Sequence, residues 1–330
     1  MKDKTRVVSG MRATGALHIG HLFGAIQNFI TLSQQHDTYL FIADWHGLTT
    51  EYLKPQPART LAKEILADWI ACGVDPQQAT IFIQSDVAEH AELHLMFSMI
   101  TPLGWLERVP TYKDQLEQLK EKDIHTYGFL GYPVLQAADI SLYRGKKVPV
   151  GHDQLPHLEL TREVVRRFNH LYGKTFPEPE ALLTAHPKVP GLDGRKMSKS
   201  YDNAIGLGES EESIRKRTMV AVTDPQRVRR QDPGNPEVCP TFGLHQLFSD
   251  AQRIKEVDTG CRTAGIGCVD CKKMLLDKML QPLAEIRAKR EALMAKPEQL
   301  EQIFGDGAAR ARVVAQATLR DVREAMGISK

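Results

Sequence analysis

Short apolar runs alternate with longer amphipathic stretches through the first half of the chain. The runs at 6–9, 39–43, 81–84 and 147–150 predict strands, and stretches near 57–72, 90–100 and 131–142 carry the helical period between them. That alternation predicts an α/β fold: a Rossmann-type doubly wound parallel sheet with helices on both faces, whose ligands bind outside the carboxyl ends of the strands. After about residue 204 the strand signals stop. Leu275, Leu276, Met279, Leu280, Leu283 and Ile286 form one apolar stripe, and 306–326 reads as a last amphipathic helix. The expected organisation is a nucleotide-type domain over 1–204 and an all-helical domain over 205–330.

Two segments of this pattern carry chemistry. His18-Ile19-Gly20-His21 follows the apolar pair Val7 and Val8 and the turn-prone stretch Ser9-Gly10-Met11-Arg12-Ala13-Thr14-Gly15, and it lies at the start of a helical pattern over 16–29. A helix start presents unpaired N–H groups and the positive end of the helix dipole, which favours phosphate. Gly15 and Gly20 allow backbone or purine to approach closely. His18 and His21, three apart, share a face from which both can donate to phosphate oxygens. Lys196-Met197-Ser198-Lys199-Ser200 follows a Pro/Gly-rich stretch, 189–194, that reads as a mobile loop. Lysines there suit a leaving pyrophosphate, because their charge stabilises the transition state more than the bound nucleotide. Together the two segments predict activation of a carboxylic acid by ATP.

With the stretch from Val8 to Gly15, these segments resemble the class I aminoacyl-tRNA synthetases, and within them the tryptophanyl-tRNA synthetases, over essentially the whole chain. The family often has Gln-Pro where this chain has Arg12-Ala13. The resemblance implies activation of L-tryptophan with ATP and Mg2+, transfer to tRNA(Trp), and a homodimer. It implies Lys196, Lys199, His18 and His21 as the catalytic groups. It places Arg12, Ala13, Thr14, Gly20, His21, Lys113, Gly151, His152, Asp153, Val189, Lys196, Met197, Ser198, Lys199 and Ser200 at ATP. Val8, His46, Tyr132, Gln136, Asp139 and Gln154 are placed at the amino acid. Two alternatives stand beside this reading, a tyrosine-specific relative and an RNA-binding or regulatory paralogue that charges no tRNA. The tyrosine enzymes usually carry a tyrosine near Val8, and intact Lys196 and Lys199 speak against a non-charging paralogue.

Several of these positions have independent chemical reasons. Tyr132, Gln136 and Asp139 recur at helical spacing in an otherwise apolar segment, so they point one way. An ionised carboxylate only accepts and an indole N–H only donates, which makes Asp139 a suitable partner for tryptophan. Gly151-His152-Asp153-Gln154 directly follows a strand, where a glycine permits close approach and a carboxylate can accept from ribose hydroxyls. His46 also follows a strand.

Cys239, Cys261, Cys268 and Cys271 form C-x21-C-x6-C-x2-C, with Cys72 far away. Four thiols ending in C-x2-C are a metal-site signature where disulfides are disfavoured, and both zinc and an iron-sulfur cluster accept four cysteines. The resemblance implies a [4Fe-4S] cluster, carried by a subset of the family, with zinc as the alternative. The stretch 259–268 contains three glycines and is expected to be a loop that a metal would order. A redox protein built on such a cluster would need a flavin or dinucleotide fingerprint of the Gly-x-Gly-x-x-Gly kind, which this chain lacks.

Charge narrows the partners. With 43 Lys and Arg against 41 Asp and Glu, the net charge of +2 does not mark a nucleic-acid binder globally, so RNA contacts must come from local patches such as Arg215-Lys216-Arg217 and Arg227-Val228-Arg229-Arg230. No apolar stretch approaches the roughly 20 residues of a membrane span, and the first residues run straight into a strand. A cytoplasmic protein with no membrane partner is expected.

Overall fold

In the computed structural model the described residues are 4–13, 15–118, 123–183 and 189–329, less the side chains of Thr111, Asp114, Gln115, Gln118 and Asp153. Thr14 and the Asp153 side chain, both expected at the nucleotide, lie outside the described residues.

Five parallel strands form one sheet in the order β3-β2-β1-β4-β5: β1 Arg6–Arg12, β2 Asp37–Ala43, β3 Ala79–Ile83, β4 Lys147–Val150 and β5 Glu180–Leu183. Four were expected. The fifth, Glu-Ala-Leu-Leu, is an edge strand with no fully buried position, and its residues are helix formers rather than the β-branched and aromatic types that mark strands. The order builds outward from β1 in both directions, so a crevice opens at the carboxyl ends of β1 and β4, where successive connections leave on opposite sides.

Strand alternation divides the core between the two faces. Leu40, Ile42, Ile81 and Ile83 face a cluster that includes Trp69, Leu275, Met279, Leu300 and Phe304. Val8, Tyr39, Phe41 and Phe82 face the other, with Phe97, Tyr143, Phe168, Ala308, Ala311 and Leu319. The expected apolar stripe lies on a 27-residue helix, Cys268–Met294, and packs on the helix Ala58–Ala71. Each fully buried leucine of that stripe contributes about 1.5–3 kcal/mol relative to exposure.

The last helix spans Pro297–Ala325 and so begins earlier than the pattern indicated. Gly305 and Gly307 lie inside it. Leu300 and Phe304 belong to one face's core, Ala308 and Ala311 to the other's, so the helix crosses the outer edge of β3 at Gly307. A side-chain carbon on Gly307 would overlap the carbonyl of Ile81. Glycine is required there because helix and strand backbones touch. Arg310 then donates to the carbonyls of Pro76 (3.0 Å) and Ala79 (3.1 Å) along the same edge.

Candidate active site

A cavity of about 190 Å³ opens at the carboxyl ends of β1 and β2. Its walls are Gly10 and Arg12 from β1, Phe41 and Ala43 from β2, His46 and Thr49 from the helix Asp44–Glu51, and Gln154. The helix Tyr127–Leu142 closes it with Phe129, Tyr132, Gln136 and Asp139. Thr126 caps that helix by accepting from the Phe129 N–H, which fixes the register that turns the predicted polar trio inward. Apolar walls with a few fixed polar groups are the usual form of a small-molecule site.

Asp139 is 1% exposed and anchors the polar end. Its Oδ1 accepts from Gln84 Nε2 (2.8 Å) and lies 2.7 Å from His90 Nδ1, while Oδ2 lies 2.8 Å from His46 Nε2. Burial alone would raise this carboxyl, but the hydrogen bonds from His46 and His90 reverse that and hold it well below the usual range, so it is ionised. His90 Nε2 meets the Tyr143 hydroxyl at 2.7 Å, and Tyr132 meets His157 Nε2 at 3.0 Å. Gln84, His90, Tyr143 and His157 were not singled out in the sequence. Each lies at least 25 residues along the chain from the group it contacts, and only the fold shows what it backs.

The two signature segments meet beside this cavity. The N–H of Ile19 donates to the Ile205 carbonyl and that of Leu207 to the Leu17 carbonyl, stitching the first segment to the chain just beyond the second. Gly15 adopts φ +97°, and a side chain there would lie 3.5 Å from Lys199 Nζ. His18 and His21 cap their own helix: His18 Nδ1 accepts from the Gly20 N–H (3.1 Å) and His21 Nδ1 accepts from the His18 N–H (3.2 Å). Burial lowers His18 to about 4 and His21 to about 3, assisted in both by nearby Lys199. Both rings are therefore neutral at physiological pH, with the proton on Nε2 as the outward donor. At Gly20 a side chain would come within 2.8 Å of the His18 ring.

The second segment is held from within. Asn203 accepts from the Ser198 N–H (2.8 Å) and donates to the Lys196 carbonyl (3.1 Å), and the Met197 N–H donates to the Val189 carbonyl. Val189 and Met197 are buried in the core, while Lys196, Lys199 and Ser200 are exposed. Partial burial lowers Lys199, opposed by the charges of Asp68 and Glu64.

Other expected positions are more scattered. Arg12 donates to Thr50 Oγ1 (2.6 Å), and Ala13 lines a neighbouring cavity with Gly15. Gly151, His152 and Gln154 stand at the end of β4. Val8 is fully buried beneath the cavity rather than on its wall, and Lys113 is exposed on the helix Pro110–Gln118.

The family profile described as tRNA synthetases class I (W and Y) matches residues 1–283. A tryptophan–tRNA ligase of Thermotoga maritima is 50% identical, covering 98% of this chain and 99% of its own, and one of Ralstonia nicotianae is 45% identical over 98% of each. The tryptophanyl-tRNA synthetase of Campylobacter jejuni, solved with ADP and tryptophan, superposes with a TM-score of 0.88 at 35% identity, covering 98% of this chain and 100% of its own. The chain belongs to the class I tryptophanyl-tRNA synthetases.

In this synthetase the four cysteines converge at the start of the helix Cys268–Met294. The Arg227 guanidinium lies 4.0 Å from Cys261 Sγ and 3.9 Å from Cys268 Sγ, and donates to the carbonyls of Arg230 and Ile266 (both 2.7 Å). Burial and the charges of the other three sulfurs push the Cys271 thiol up to about 12. As they stand, no three His, Cys, Asp or Glu side chains among the described residues are arranged to hold a metal ion. The expected loop over 259–268 is partly helical, since Thr259, Gly260, Cys261 and Arg262 finish the helix Ala251–Arg262 and Cys268 begins the next. Gly260 serves contact rather than flexibility, because Ile266 packs 3.0 Å from where its side chain would be.

The basic runs divide in the same way. Arg217 donates to the Ala204 carbonyl (2.9 Å) and Arg227 is turned to the cysteines, whereas Arg215, Lys216, Arg229 and Arg230 are exposed. No helix among the described residues is long and apolar enough to cross a membrane.

Proposed function

We propose that the chain activates L-tryptophan with ATP and transfers it to tRNA(Trp), and that the observation carrying this is the ionised, buried Asp139 at the end of an aromatic-walled cavity beside two converging phosphate-binding segments. The indole lies between Phe129, Tyr132 and Phe41, and its N–H donates to Asp139. Two of the carboxylate's contacts fall on Oδ1 and one on Oδ2, which leaves acceptor capacity at Oδ2. Gln136 and Gln154 orient the amino and carboxylate ends.

The tryptophan carboxylate attacks the α-phosphorus of ATP in line, and pyrophosphate leaves. The Nε2–H groups of His18 and His21 donate to phosphate oxygens, and Lys196 and Lys199 balance the charge that grows on the leaving group. Mg2+ supplies further charge neutralisation when bound. A terminal ribose hydroxyl of the tRNA then attacks the acyl carbon of the adenylate, forming the ester as the acyl–phosphate bond breaks and AMP leaves. Residues 1–204 carry activation. Residues 205–330 contact the tRNA, with Arg215, Lys216, Arg229 and Arg230 supplying phosphate contacts.

Cys239, Cys261, Cys268 and Cys271 are proposed to hold a [4Fe-4S] cluster. An all-sulfur donor set and a nearby guanidinium support it. The cluster would cross-link the helix Ala251–Arg262 to the helix Cys268–Met294. Exposed Leu95, Met99, Leu103 and Tyr127 on neighbouring elements offer an apolar face for a homodimer, and the chain's place is the cytoplasm. ATP–pyrophosphate exchange with each proteinogenic amino acid tests the central reading. Tryptophan alone should support exchange, and a response to tyrosine instead would overturn it.

A further inference from the structure

A second cavity, of about 290 Å³, shares the helix Asp44–Glu51 with the amino-acid cavity. His46 and Thr49 line the amino-acid side, whereas Asp44, Gly47, Leu48 and Glu51 line the second, as the spacing of opposite helix faces requires. The two cavities also adjoin along the chain. Arg12 stands in the wall of the first and Ala13 in the wall of the second, and a side chain at Gly15, in that same wall, would lie 3.5 Å from Lys199 Nζ. The second cavity therefore borders both the amino-acid site and the second signature segment.

Gly47 keeps this space open. It is buried within a helix, where glycine is less favourable than alanine, yet apart from its own helix nothing lies within 4 Å of where a side chain there would begin. The room left by the missing side chain belongs to the cavity, not to a neighbour. Leu48 and Leu61 offer apolar surface to a flat base, and Asp44, Glu51 and Gln56 offer acceptors to an exocyclic amine and to ribose hydroxyls. Asp44 is fixed for this by the N–H groups of Trp45 (3.0 Å) and Ser85 (3.1 Å), both of which donate to Oδ1. Among the described residues no lysine or arginine lines the cavity, and two carboxylates do, which disfavours a triphosphate. A nucleoside with free hydroxyls and a single phosphodiester fits better.

We infer that this cavity receives the terminal adenosine of the tRNA and brings its ribose hydroxyls to the helix that also borders the tryptophan. This rests on the proposed charging of tRNA(Trp) and adds the place where the acceptor end is held. The adenosine of ATP has the same base and sugar, so the test separates the two sources.

Two assays on the full-length protein are compared: tryptophan-dependent pyrophosphate exchange, and single-turnover transfer from preformed tryptophanyl-adenylate to tRNA(Trp). Charging by the unmodified chain tests the underlying reading by itself. Gly47→Leu fills the cavity from a helical position that leucine suits. Transfer should slow by about tenfold or more, while exchange kcat and the KM values for ATP and tryptophan stay within about twofold. Gly47→Ala should show the same split at smaller size. A merely structural effect would not divide the assays, because His46 and Thr49 on the same helix would be displaced and exchange would fall too. If Gly47→Leu does not fold, Glu51→Gln decides, with transfer expected to slow by about threefold at unchanged exchange. Unslowed transfer in the folded variant overturns the inference. So does a KM for ATP that rises in step with the loss of transfer, which would put ATP's adenosine in the cavity, and so does a parallel fall of exchange and transfer.

Discussion

His90 Nδ1 and Asp139 Oδ1 lie 2.7 Å apart, both almost wholly buried, and His90 is itself fixed by the Tyr143 hydroxyl on its other nitrogen. The carboxylate proposed to meet the amino acid is thereby held in one orientation. Asp139→Ala should reduce kcat/KM for tryptophan by roughly 2–5 kcal/mol, because the indole N–H loses its only ionised acceptor, while the KM for ATP changes little. His90→Leu should weaken tryptophan by about 1–3 kcal/mol through loss of one charge-assisted bond. Steady-state exchange kinetics with each substrate varied separate these effects. Undiminished tryptophan dependence in Asp139→Ala would remove that residue from the site.

Gly20→Ala places a methyl group 2.8 Å from the His18 ring. The ring must rotate away, and its Nδ1 contact with the Gly20 N–H is lost. Exchange should slow by about tenfold or more, since misplacing a phosphate donor removes transition-state stabilisation. The tryptophan affinity of the free enzyme, read by fluorescence quenching, should hardly move.

Neutral histidines make the fold sensitive to acid. His18 and His21 lie at about 4 and 3 in the folded chain against an ordinary 6.5, so the unfolded chain binds more protons in the interval between. Their stabilising contribution is complete above about pH 6.5 and is lost as the pH falls toward 4. Melting temperatures across that range should drop, and replacing both histidines by Asn should flatten part of the slope. A slope that keeps its full steepness in the double variant would assign the acid sensitivity to other groups.

The cysteine site yields a colour test. Anaerobic purification should give a brown protein with four iron and four sulfide per chain, and Cys261→Ser should lose the visible absorption while retaining exchange activity. Arg227→Met should bleach faster in air, as the guanidinium that lies across Cys261 and Cys268 is gone. Colourless protein with one zinc per chain would overturn the cluster.

Much of the architecture was legible because strands of a parallel sheet buried on both faces read as apolar runs, and β1 to β4 carry them. β5 lacked one. The two signature segments and the inward trio Tyr132, Gln136 and Asp139 were legible because local spacing determines which side chains share a face. The groups behind them were not. Gln84 and His90 reach Asp139 across sequence separations of 55 and 49 residues, and no local pattern encodes such a meeting. Glycine misled at Gly260, where the missing side chain makes room for Ile266 inside a helix while the glycine-rich sequence suggests a loop.

The passage of the last helix over β3 has a consequence for how the protein is made. The 29 residues from Pro297 to Ala325 are synthesised after all five strands, yet they cover the outer rim of the sheet at Gly307. Until then the nascent chain carries an unguarded strand, the kind of surface that recruits stray β-segments and chaperones. Premature termination between Ala295 and Gly307 would therefore release a polypeptide that carries the whole sheet and both signature segments and is sticky rather than merely inactive.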